Sequence, residues 1–271
     1  MSISSDTSKI KGMAGPGSPF RLDRSAPRMI VQACLNGARS SDYHPALPLT
    51  SEAMARDAAT CVAAGASELH VHPRGSDGHE TLGAASVAET LLALRHSCPG
   101  TLIGVSTGDW IERNEVDTLA AISSWQVRPD YASVNLEEAN AEAVMELLHR
   151  RGIGIEAGTG SIADVERLAA SPVGRHVFRV LIEVSDQDIV QASAQVDDIA
   201  GALEQADIGR PLLLHGVNAT VWPLVAMAAQ RRWSTRVGLE DGRSLPDGTM
   251  AGSNSSMVAA AAAVFATRHR G

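Results

Sequence analysis

The 271-residue sequence has few aromatic residues, no long apolar run and no signal-like beginning. Phe, Trp and Tyr make up 3% of the chain, so alanine, valine and leucine must fill most of any hydrophobic core. No stretch approaches the roughly 20 consecutive apolar residues that a membrane-spanning helix needs. The first two dozen residues lack the apolar segment of a secretory signal. We therefore expect a protein without a membrane partner.

Cysteine and positive charge are also scarce. Cys34, Cys61 and Cys98 are odd in number and form no CxxC pair, which predicts reduced, mostly buried thiols in a cytoplasmic protein. The formal net charge of -8 argues against nucleic acid as a partner, because phosphate binding needs clustered positive charge. A local basic pocket for an anionic small molecule remains compatible with this charge.

What the chain does contain is a regular alternation of short apolar runs with longer amphipathic stretches. We predict strands for the apolar runs at 29–35, 67–72, 101–106, 131–136, 152–157, 177–184, 211–216 and 234–240. Each is followed by a predicted helix, at 50–65, 84–96, 113–123, 141–151, 161–170, 188–204, 220–231 and 252–268.

Eight strand-and-helix units without a dividing linker favour one α/β domain. Strands that alternate with helices imply a parallel sheet, and eight units in about 240 residues fit a closed TIM (β/α)8 barrel. No GxGxxG follows the first strand, which argues against a doubly wound dinucleotide fold. We predict a single catalytic barrel over residues 28–271, preceded by a flexible N-terminal arm over residues 1–27.

Polar residues follow the predicted strands at the points where the strands end. In a TIM barrel these ends meet at one mouth, where active sites lie. Burying an unpaired polar group costs free energy, so a barrel with only a structural role would not need polar residues at its mouth. The strand-end residues are Asn36, His70, His72, Arg74, Ser106, Thr107, Ser133, Asn135, Glu156, Glu183, His215, Glu240 and Asp241.

The segment HVHPR contains the most informative pair, His70 and His72. At a spacing of two on a strand, both imidazoles point to the same face, here into the mouth. Two converging imidazoles predict a divalent metal, with zinc as the candidate. Catalytic zinc usually has three protein ligands, and Glu240, His215 and Glu156 are candidates for the third.

The segment RVGLEDG concentrates charge after the last strand. Beside a dication, one carboxylate of the pair Glu240 and Asp241 can ligate the metal while the other acts as a general base. Arg236 would then orient that base or bind a substrate carboxylate through two hydrogen bonds.

Several segments together resemble a known family, the β-keto acid cleavage enzymes, which are zinc-dependent barrel proteins. The segments are LNGARSSDYHPALPLT, AAGASELHVHPRGSDGHETL, VSTG, PDYASVNLEEAN and RVGLEDG with the following SNSSMV. The resemblance runs from about residue 28 to the C-terminus. It implies a β-keto acid and acetyl-CoA as substrates, acetoacetate and a new acyl-CoA as products, and a homotetramer.

The resemblance also implies roles for individual residues. His70, His72 and Glu240 would ligate zinc, while Asp241, supported by Arg236, would be the catalytic base. Ser106 would contact the carbonyl or carboxylate of the substrate, and Glu156 would line the pocket. With the other groups near the mouth, the predicted substrate-binding set is Ser106, Glu156, Arg39, Asn36, Asn135 and Arg74.

The loop after the first strand contains one departure from the family pattern. Enzymes that cleave an aminated substrate carry an acid there, whereas this chain has Arg39. A cation at this place would repel an ammonium group, so we expect a neutral or anionic substrate tail. In the same loop, His44 would be either a lid residue or a solvent-exposed side chain.

Three other functions remain open. Amidohydrolase-like barrels also use a His-x-His pair, but on their first strand and with a later lysine, and this chain has no lysine after Lys11. Hydrolases of this kind with a single metal ion do not need that lysine, so they remain compatible with the sequence. A metal-dependent aldolase or lyase would act without CoA, and a non-catalytic barrel would only bind a small acid.

Overall fold

The computed structural model describes residues 29–268. Its strands are β1 (Val31–Cys34), β2 (Glu68–Val71), β3 (Leu102–Ser106), β4 (Tyr131–Asn135), β5 (Gly154–Thr159), β6 (Arg179–Val184), β7 (Leu212–Gly216) and β8 (Ser234–Val237). The α-helices are α1 (Ser51–Ala63), α2 (Ala84–Ser97), α3 (Asp109–Glu112), α4 (Glu115–Ser124), α5 (Ala141–Arg150), α6 (Ile162–Ala170), α7 (Ile189–Gln205), α8 (Val221–Arg231) and α9 (Asn254–Arg268).

The eight strands form a closed barrel in sequence order, and every neighbouring pair, including β1 with β8, is parallel. The predicted TIM (β/α)8 fold is therefore confirmed. Apolar residues on the outer face of the strands pack against the helices and form the main hydrophobic core. Among the helices of residues 29–268, none combines the length and apolar content needed to cross a membrane. The predicted arm at residues 1–27 lies outside the described part of the chain.

The barrel interior is polar below the mouth. Arg179 of β6 forms ion pairs with Glu68 of β2 and Glu156 of β5, and all three side chains are buried. Gln32 donates hydrogen bonds from Nε2 to the Tyr131 hydroxyl and to Glu156 Oε1, at 2.8 and 3.0 Å. Buried charges are tolerated when they are paired and hydrogen-bonded, so this network replaces the aliphatic layers that usually fill such barrels.

Most predicted boundaries differ from the observed ones by one or two residues, and two of the differences have a clear physical reason. The helix predicted at 113–123 begins at Glu115, because Arg113 has a left-handed backbone and the Asn114 side chain caps the amide of Asp117 at 2.8 Å. A separate short helix, α3, precedes it. Strand β8 ends at Val237 rather than at residue 240, because the chain turns at Gly238, whose carbonyl accepts the amides of Asp241 and Gly242.

Candidate active site

Three potential metal ligands converge at the barrel mouth. His70 Nε2 and His72 Nε2 lie 3.2 Å apart, and Glu240 Oε1 lies 3.6 Å from the first and 3.5 Å from the second. Two ligands bound tetrahedrally to zinc at 2.0–2.1 Å are separated by about 3.3 Å. The triangle therefore has the size of one face of a zinc coordination tetrahedron. Two nitrogen donors and one carboxylate also form a donor set that catalytic zinc uses.

One unpartnered buried atom of this cluster also fits a metal. Glu240 Oε2 is buried and has no hydrogen-bond partner within the described residues. Burial lowers the pKa of His70 to about 4, although the Glu240 carboxylate acts in the opposite direction. His70 is thus a neutral imidazole at pH 7, the form that binds a metal.

The ends of β1 and β8 set the position of Glu240. Gly37 has a φ of 54°, and a Cβ atom there would lie 2.5 Å from Glu240 Cγ. A Cβ atom at Gly238 would lie 1.8 Å from the Cys34 carbonyl oxygen. Both positions therefore need glycine, and the close approach that glycine permits brings Glu240 over the end of β1 and beside the two histidines.

The side chain of Asn36 fixes the backbone of His72. Its Nδ2 donates to the His72 carbonyl at 2.9 Å and its Oδ1 accepts the His72 amide at 3.0 Å. Asn36, predicted to bind substrate, thus uses its amide to position a metal-ligand candidate. A contact of this kind joins two loops and is not visible in residue spacing.

Glu80 was not identified from the sequence. Its Oε1 lies 2.5 Å from Nδ1 of His72, and its Oε2 accepts a hydrogen bond from Nε1 of Trp110 at 3.2 Å. Burial lowers the pKa of His72, but the carboxylates of Glu240 and Glu80 outweigh it and raise that pKa to about 9. Without a metal, His72 is therefore protonated at pH 7, and a metal bound at Nε2 would displace one proton.

Arg236 joins the two carboxylates of the RVGLEDG segment. Its Nη2 lies 2.5 Å from Glu240 Oε1 and 2.7 Å from Asp241 Oδ1. Asp241 is 1% exposed, and its Oδ2 has no hydrogen-bond partner among residues 29–268. Burial would lower the pKa of Arg236, but Asp241 and the other nearby acids raise it well above the usual value, so the guanidinium stays charged.

His215 extends this cluster towards the far side of the mouth. Its Nδ1 lies 3.4 Å from Asp241 Oδ1, and its Nε2 lies 3.5 Å from Glu183 Oε2. Burial and Arg236 lower the pKa of His215, but Glu183 and Asp241 outweigh them and raise it to about 9. The structure places His215 next to the proposed base, outside the three-ligand cluster, so Glu240 is the third ligand candidate that the geometry brings to His70 and His72.

The other predicted substrate-binding residues lie around the mouth in different settings. Ser106 ends β3, is 4% exposed, and accepts the Gly108 amide at 3.3 Å. Asn135 donates to Glu138 Oε1 at 2.8 Å and, together with Glu183, lines a cavity of about 310 Å³ at the ends of β4, β5 and β6. Glu156 lies deeper, in the network with Arg179, with Oε2 buried and unpartnered within the described chain.

Three residues of the β1 and β2 loops complete the mouth. Arg39 donates from Nε to the Glu240 carbonyl at 3.0 Å and stacks on Tyr43, 4.4 Å from the ring centroid. Arg74 donates from Nη2 to the carbonyls of Gly37 and Arg39, at 2.6 and 3.0 Å. Arg74 thus joins the two loops and positions Arg39.

Of the two alternatives expected for His44, the solvent-exposed side chain is wrong, and the lid residue stays a prediction. His44 is 3% exposed; its Nδ1 accepts the Ala46 amide at 3.1 Å, and its Nε2 donates to the Ala251 carbonyl at 2.8 Å. Nδ1 therefore holds a turn within the β1 loop, and Nε2 joins this loop to the segment before α9.

Comparison with known proteins finds related chains. The chain matches the family described as beta-keto acid cleavage enzyme over residues 28–206 and 191–271. A relative from Fusobacterium nucleatum, named 3-keto-5-aminohexanoate cleavage enzyme, is 24% identical over 244 residues, which covers 85% of this chain and 89% of the relative. A relative of the same name from Acetoanaerobium sticklandii is 22% identical over 246 residues, with the same two coverages.

Among solved structures, ObcA has a similar fold. Its apo structure superimposes with a TM-score of 0.68 at 15% identity, covering 83% of this chain and 63% of ObcA. Its ternary complex with a C4-CoA adduct and oxalate gives 0.69 at 16% identity, covering 83% and 65%. The chain thus spans less than two thirds of the length of ObcA. Because the family match extends from residue 28 to residue 271 and includes the whole barrel and its mouth, the chain belongs to the beta-keto acid cleavage enzymes.

Proposed function

We propose that this enzyme is a zinc-dependent acyltransferase that converts a β-keto acid and acetyl-CoA into acetoacetate and a new acyl-CoA. The observation that carries the proposal is the pairing of the three-ligand cluster with a buried carboxylate. A single nitrogen of Arg236 contacts both Glu240 and Asp241, so the Asp241 carboxylate lies next to the cluster. Its free oxygen, Oδ2, is available to take a proton from a substrate bound there.

The residues of the mouth then have distinct tasks. When zinc is bound by His70, His72 and Glu240, it supplies Lewis-acid polarisation of the substrate ketone. Asp241 Oδ2 removes a proton from the adjacent CH₂ group while Arg236 holds Oδ1 and keeps the carboxylate oriented. Ser106, at the end of β3, hydrogen-bonds the carbonyl or carboxylate of the substrate.

The carbon chain is exchanged in two balanced steps. The carbanion attacks the acetyl-CoA thioester, a C–C bond forms, and the CoA thiolate leaves. The thiolate then attacks the original ketone carbon, the C–C bond beside it breaks, and acyl-CoA is released. Asp241 returns its proton to the acetoacetate carbanion, so the enzyme ends in its starting state.

The names of related proteins support this choice. The two curated relatives are named as cleavage enzymes for a β-keto acid. ObcA has been crystallised with oxaloacetate and with a C4-CoA adduct, which is consistent with a keto acid and a CoA thioester at the mouth of a similar barrel. The position of the histidine pair at the end of β2, rather than on β1, argues against the amidohydrolase arrangement.

Arg39 bears on the identity of the substrate tail. Its guanidinium has no carboxylate partner among residues 29–268, and it lies beside Glu240 at the mouth. An uncompensated cation there repels an ammonium group, so we propose a neutral or anionic tail for the β-keto acid. We also propose that the enzyme is a homotetramer.

The proposal is tested by metal analysis followed by assays of CoA-thioester exchange. The purified enzyme is loaded with zinc and offered acetyl-CoA with neutral, anionic and aminated β-keto acids, and acetoacetate and acyl-CoA are quantified by mass spectrometry. We expect turnover only with zinc and acetyl-CoA together, and fastest with a neutral or anionic tail. Turnover without acetyl-CoA would instead indicate an aldolase, lyase or hydrolase, and binding without turnover a non-catalytic barrel.

A further inference from the structure

Glu80 makes one of the two shortest polar contacts to a metal-ligand candidate among the described residues. Its carboxylate lies 2.5 Å from Nδ1 of His72, on the side of the ring opposite the Nε2 atom that faces His70 and Glu240. The side chain of Glu80 is 11% exposed and that of His72 is 5% exposed, so water competes little for this contact.

The contact decides which nitrogen of His72 is free for a metal. A carboxylate at Nδ1 requires a proton on that nitrogen, which leaves the lone pair on Nε2. Such outer carboxylates fix the orientation of a metal-bound imidazole and increase its basicity. Within the described residues, His70 Nδ1 has no comparable partner.

The local fold explains how Glu80 returns to the barrel mouth. Residues 73–81 form a tight hairpin. The backbones of Arg74 and Glu80 form an antiparallel bridge, and the amide of Thr81 donates to the Pro73 carbonyl at 3.0 Å. The hairpin folds back towards the end of β2, which brings Glu80 beside His72 although eight residues separate them.

Helix α3 holds the hairpin from outside. Trp110 Nε1 donates to the second carboxylate oxygen of Glu80 at 3.2 Å. Glu112 Oε1 accepts hydrogen bonds from the Thr81 hydroxyl and the Leu82 amide, at 3.1 and 2.7 Å. Both oxygens of Glu80 are therefore bound, one to His72 and the other to α3.

We propose that Glu80 is a positioning residue that orients His72 for metal binding and is itself held in place by Trp110 of α3. The proposal rests on the proposed function only in taking His72 as a metal ligand. The proposal adds a second set of contacts around the metal site: Glu80 contacts His72, and Trp110 in the loop after β3 contacts Glu80.

The experiment compares metal affinity in the full-length protein and four single variants. Zinc dissociation constants are measured by competition with a chromophoric chelator, and the visible absorption spectrum is recorded after Co²⁺ substitution. We expect Glu80→Ala to weaken zinc binding by about 100-fold and Glu80→Gln by about 10-fold, because the amide oxygen still accepts a hydrogen bond but carries no charge. Both should change the Co²⁺ spectrum.

Trp110→Phe removes only the hydrogen bond to Glu80 and should weaken zinc binding by several-fold. Glu112→Gln is the matched control, because it removes a carboxylate charge from the same pair of loops but keeps an acceptor for Thr81 and Leu82. We expect its zinc affinity to stay within about two-fold of the unmodified protein, and circular dichroism verifies that each variant is folded.

Two results from the variants would overturn the proposal. One is a Glu80→Ala protein with unchanged zinc affinity and Co²⁺ spectrum; the other is a Glu112→Gln protein that loses as much affinity as Glu80→Gln. A wild-type protein that binds no divalent metal would overturn it as well. Because affinity is measured without substrate, a protein that binds zinc through this contact but leaves β-keto acids unchanged would contradict the proposed function alone.

Discussion

At the residue scale, adjacent acids in one turn have different surroundings. Burial raises the pKa of Glu240, but Arg236 and the two histidines outweigh it and hold that pKa well below the usual value. Glu240 is therefore a permanent carboxylate, which suits a metal ligand. Asp241 is held at Oδ1 by Arg236 and has a free Oδ2, which suits a base.

Replacing Asp241 with asparagine separates these two roles. The amide keeps the shape of the side chain but cannot take a proton. We expect Asp241→Asn to retain zinc and to lower kcat by about 10²–10⁴-fold, the usual contribution of a general base. Steady-state kinetics and metal analysis of the same sample provide the measurement.

Asp197→Asn serves as a control, because Asp197 forms an exposed ion pair with Arg231 on the outer surface. Its kcat should equal that of the unmodified protein. Wild-type turnover by a zinc-loaded Asp241→Asn protein would remove Asp241 from the mechanism.

At the scale of elements, one asparagine ties the last helix to the mouth of the barrel. Asn254 begins α9, and its Oδ1 accepts the Leu239 amide at 2.6 Å. Its Nδ2 donates to the Leu35 carbonyl and to Asp57 Oδ2 of α1, at 2.8 and 2.7 Å. The residue thereby joins β1, α1, α9 and the turn that contains Glu240.

Replacing Asn254 with alanine leaves a buried amide and a buried carbonyl without partners. Each unsatisfied group costs about 1–3 kcal/mol, so we expect Asn254→Ala to lower the free energy of unfolding by about 2–4 kcal/mol. Urea denaturation measures this change. Thr267→Ala, an exposed position on the same helix, should stay within about 0.5 kcal/mol, and an equal loss in both variants would argue against the role of Asn254.

The partner of Asn254 on α1 makes stability depend on pH. Burial raises the pKa of Asp57 from its ordinary value of 3.8 to about 6, although the hydrogen bond from Asn254 lowers it. Between about pH 4 and pH 6 the folded protein therefore binds more protons than the unfolded chain. The contribution of Asp57 to the free energy of unfolding is therefore most favourable at low pH, where the carboxyl is protonated. This contribution is lost as the pH rises through that window and the buried carboxyl becomes charged.

Replacing Asp57 with asparagine removes the buried charge and keeps an acceptor for Asn254. We expect Asp57→Asn to be more stable than the unmodified protein by about 1–2 kcal/mol at pH 8, and to have no advantage at pH 4. Urea denaturation at both pH values tests this. A gain of the same size at the two pH values would show that the charge of Asp57 is not its cause.

At the scale of the whole molecule, an ionic network crosses the barrel below the active site. Arg179 pairs with carboxylates from β2 and β5, so one side chain connects three strands through the interior. Burial would raise the pKa of Glu156, but Arg179 outweighs it and lowers that pKa. The same carboxylate acts to raise the pKa of His70, against the larger effect of burial, which lowers it.

Replacing Arg179 with methionine leaves two buried carboxylates without their cation. Breaking a buried ion pair costs about 3–5 kcal/mol, so we expect Arg179→Met to lower the free energy of unfolding by that amount. Arg175→Met is the control, because the pair with Asp207 leaves Arg175 59% exposed and Asp207 90% exposed. Its loss should be below about 1 kcal/mol. Equal losses in the two variants would refute a structural role for the inner network.

The sequence by itself determined the barrel and the histidine pair. Eight alternations of apolar and amphipathic segments appear in the local pattern, and a spacing of two places His70 and His72 on one face of any strand. The order of RVGLEDG after the last strand likewise identified Arg236, Glu240 and Asp241 as candidates. Local periodicity carries this information because each element repeats its own geometry.

The contacts around these residues were decided only by the tertiary structure. Glu80 reaches His72 through a hairpin, and Asn36 binds the backbone of His72 from the loop after β1. His44 joins that loop to the segment before α9 through Nε2. Glu240 became the third ligand candidate, over His215 and Glu156, because the turn after β8 brings it to the histidines. Spacing along the chain does not encode such contacts, since loop conformation and packing between elements set the distances across the mouth.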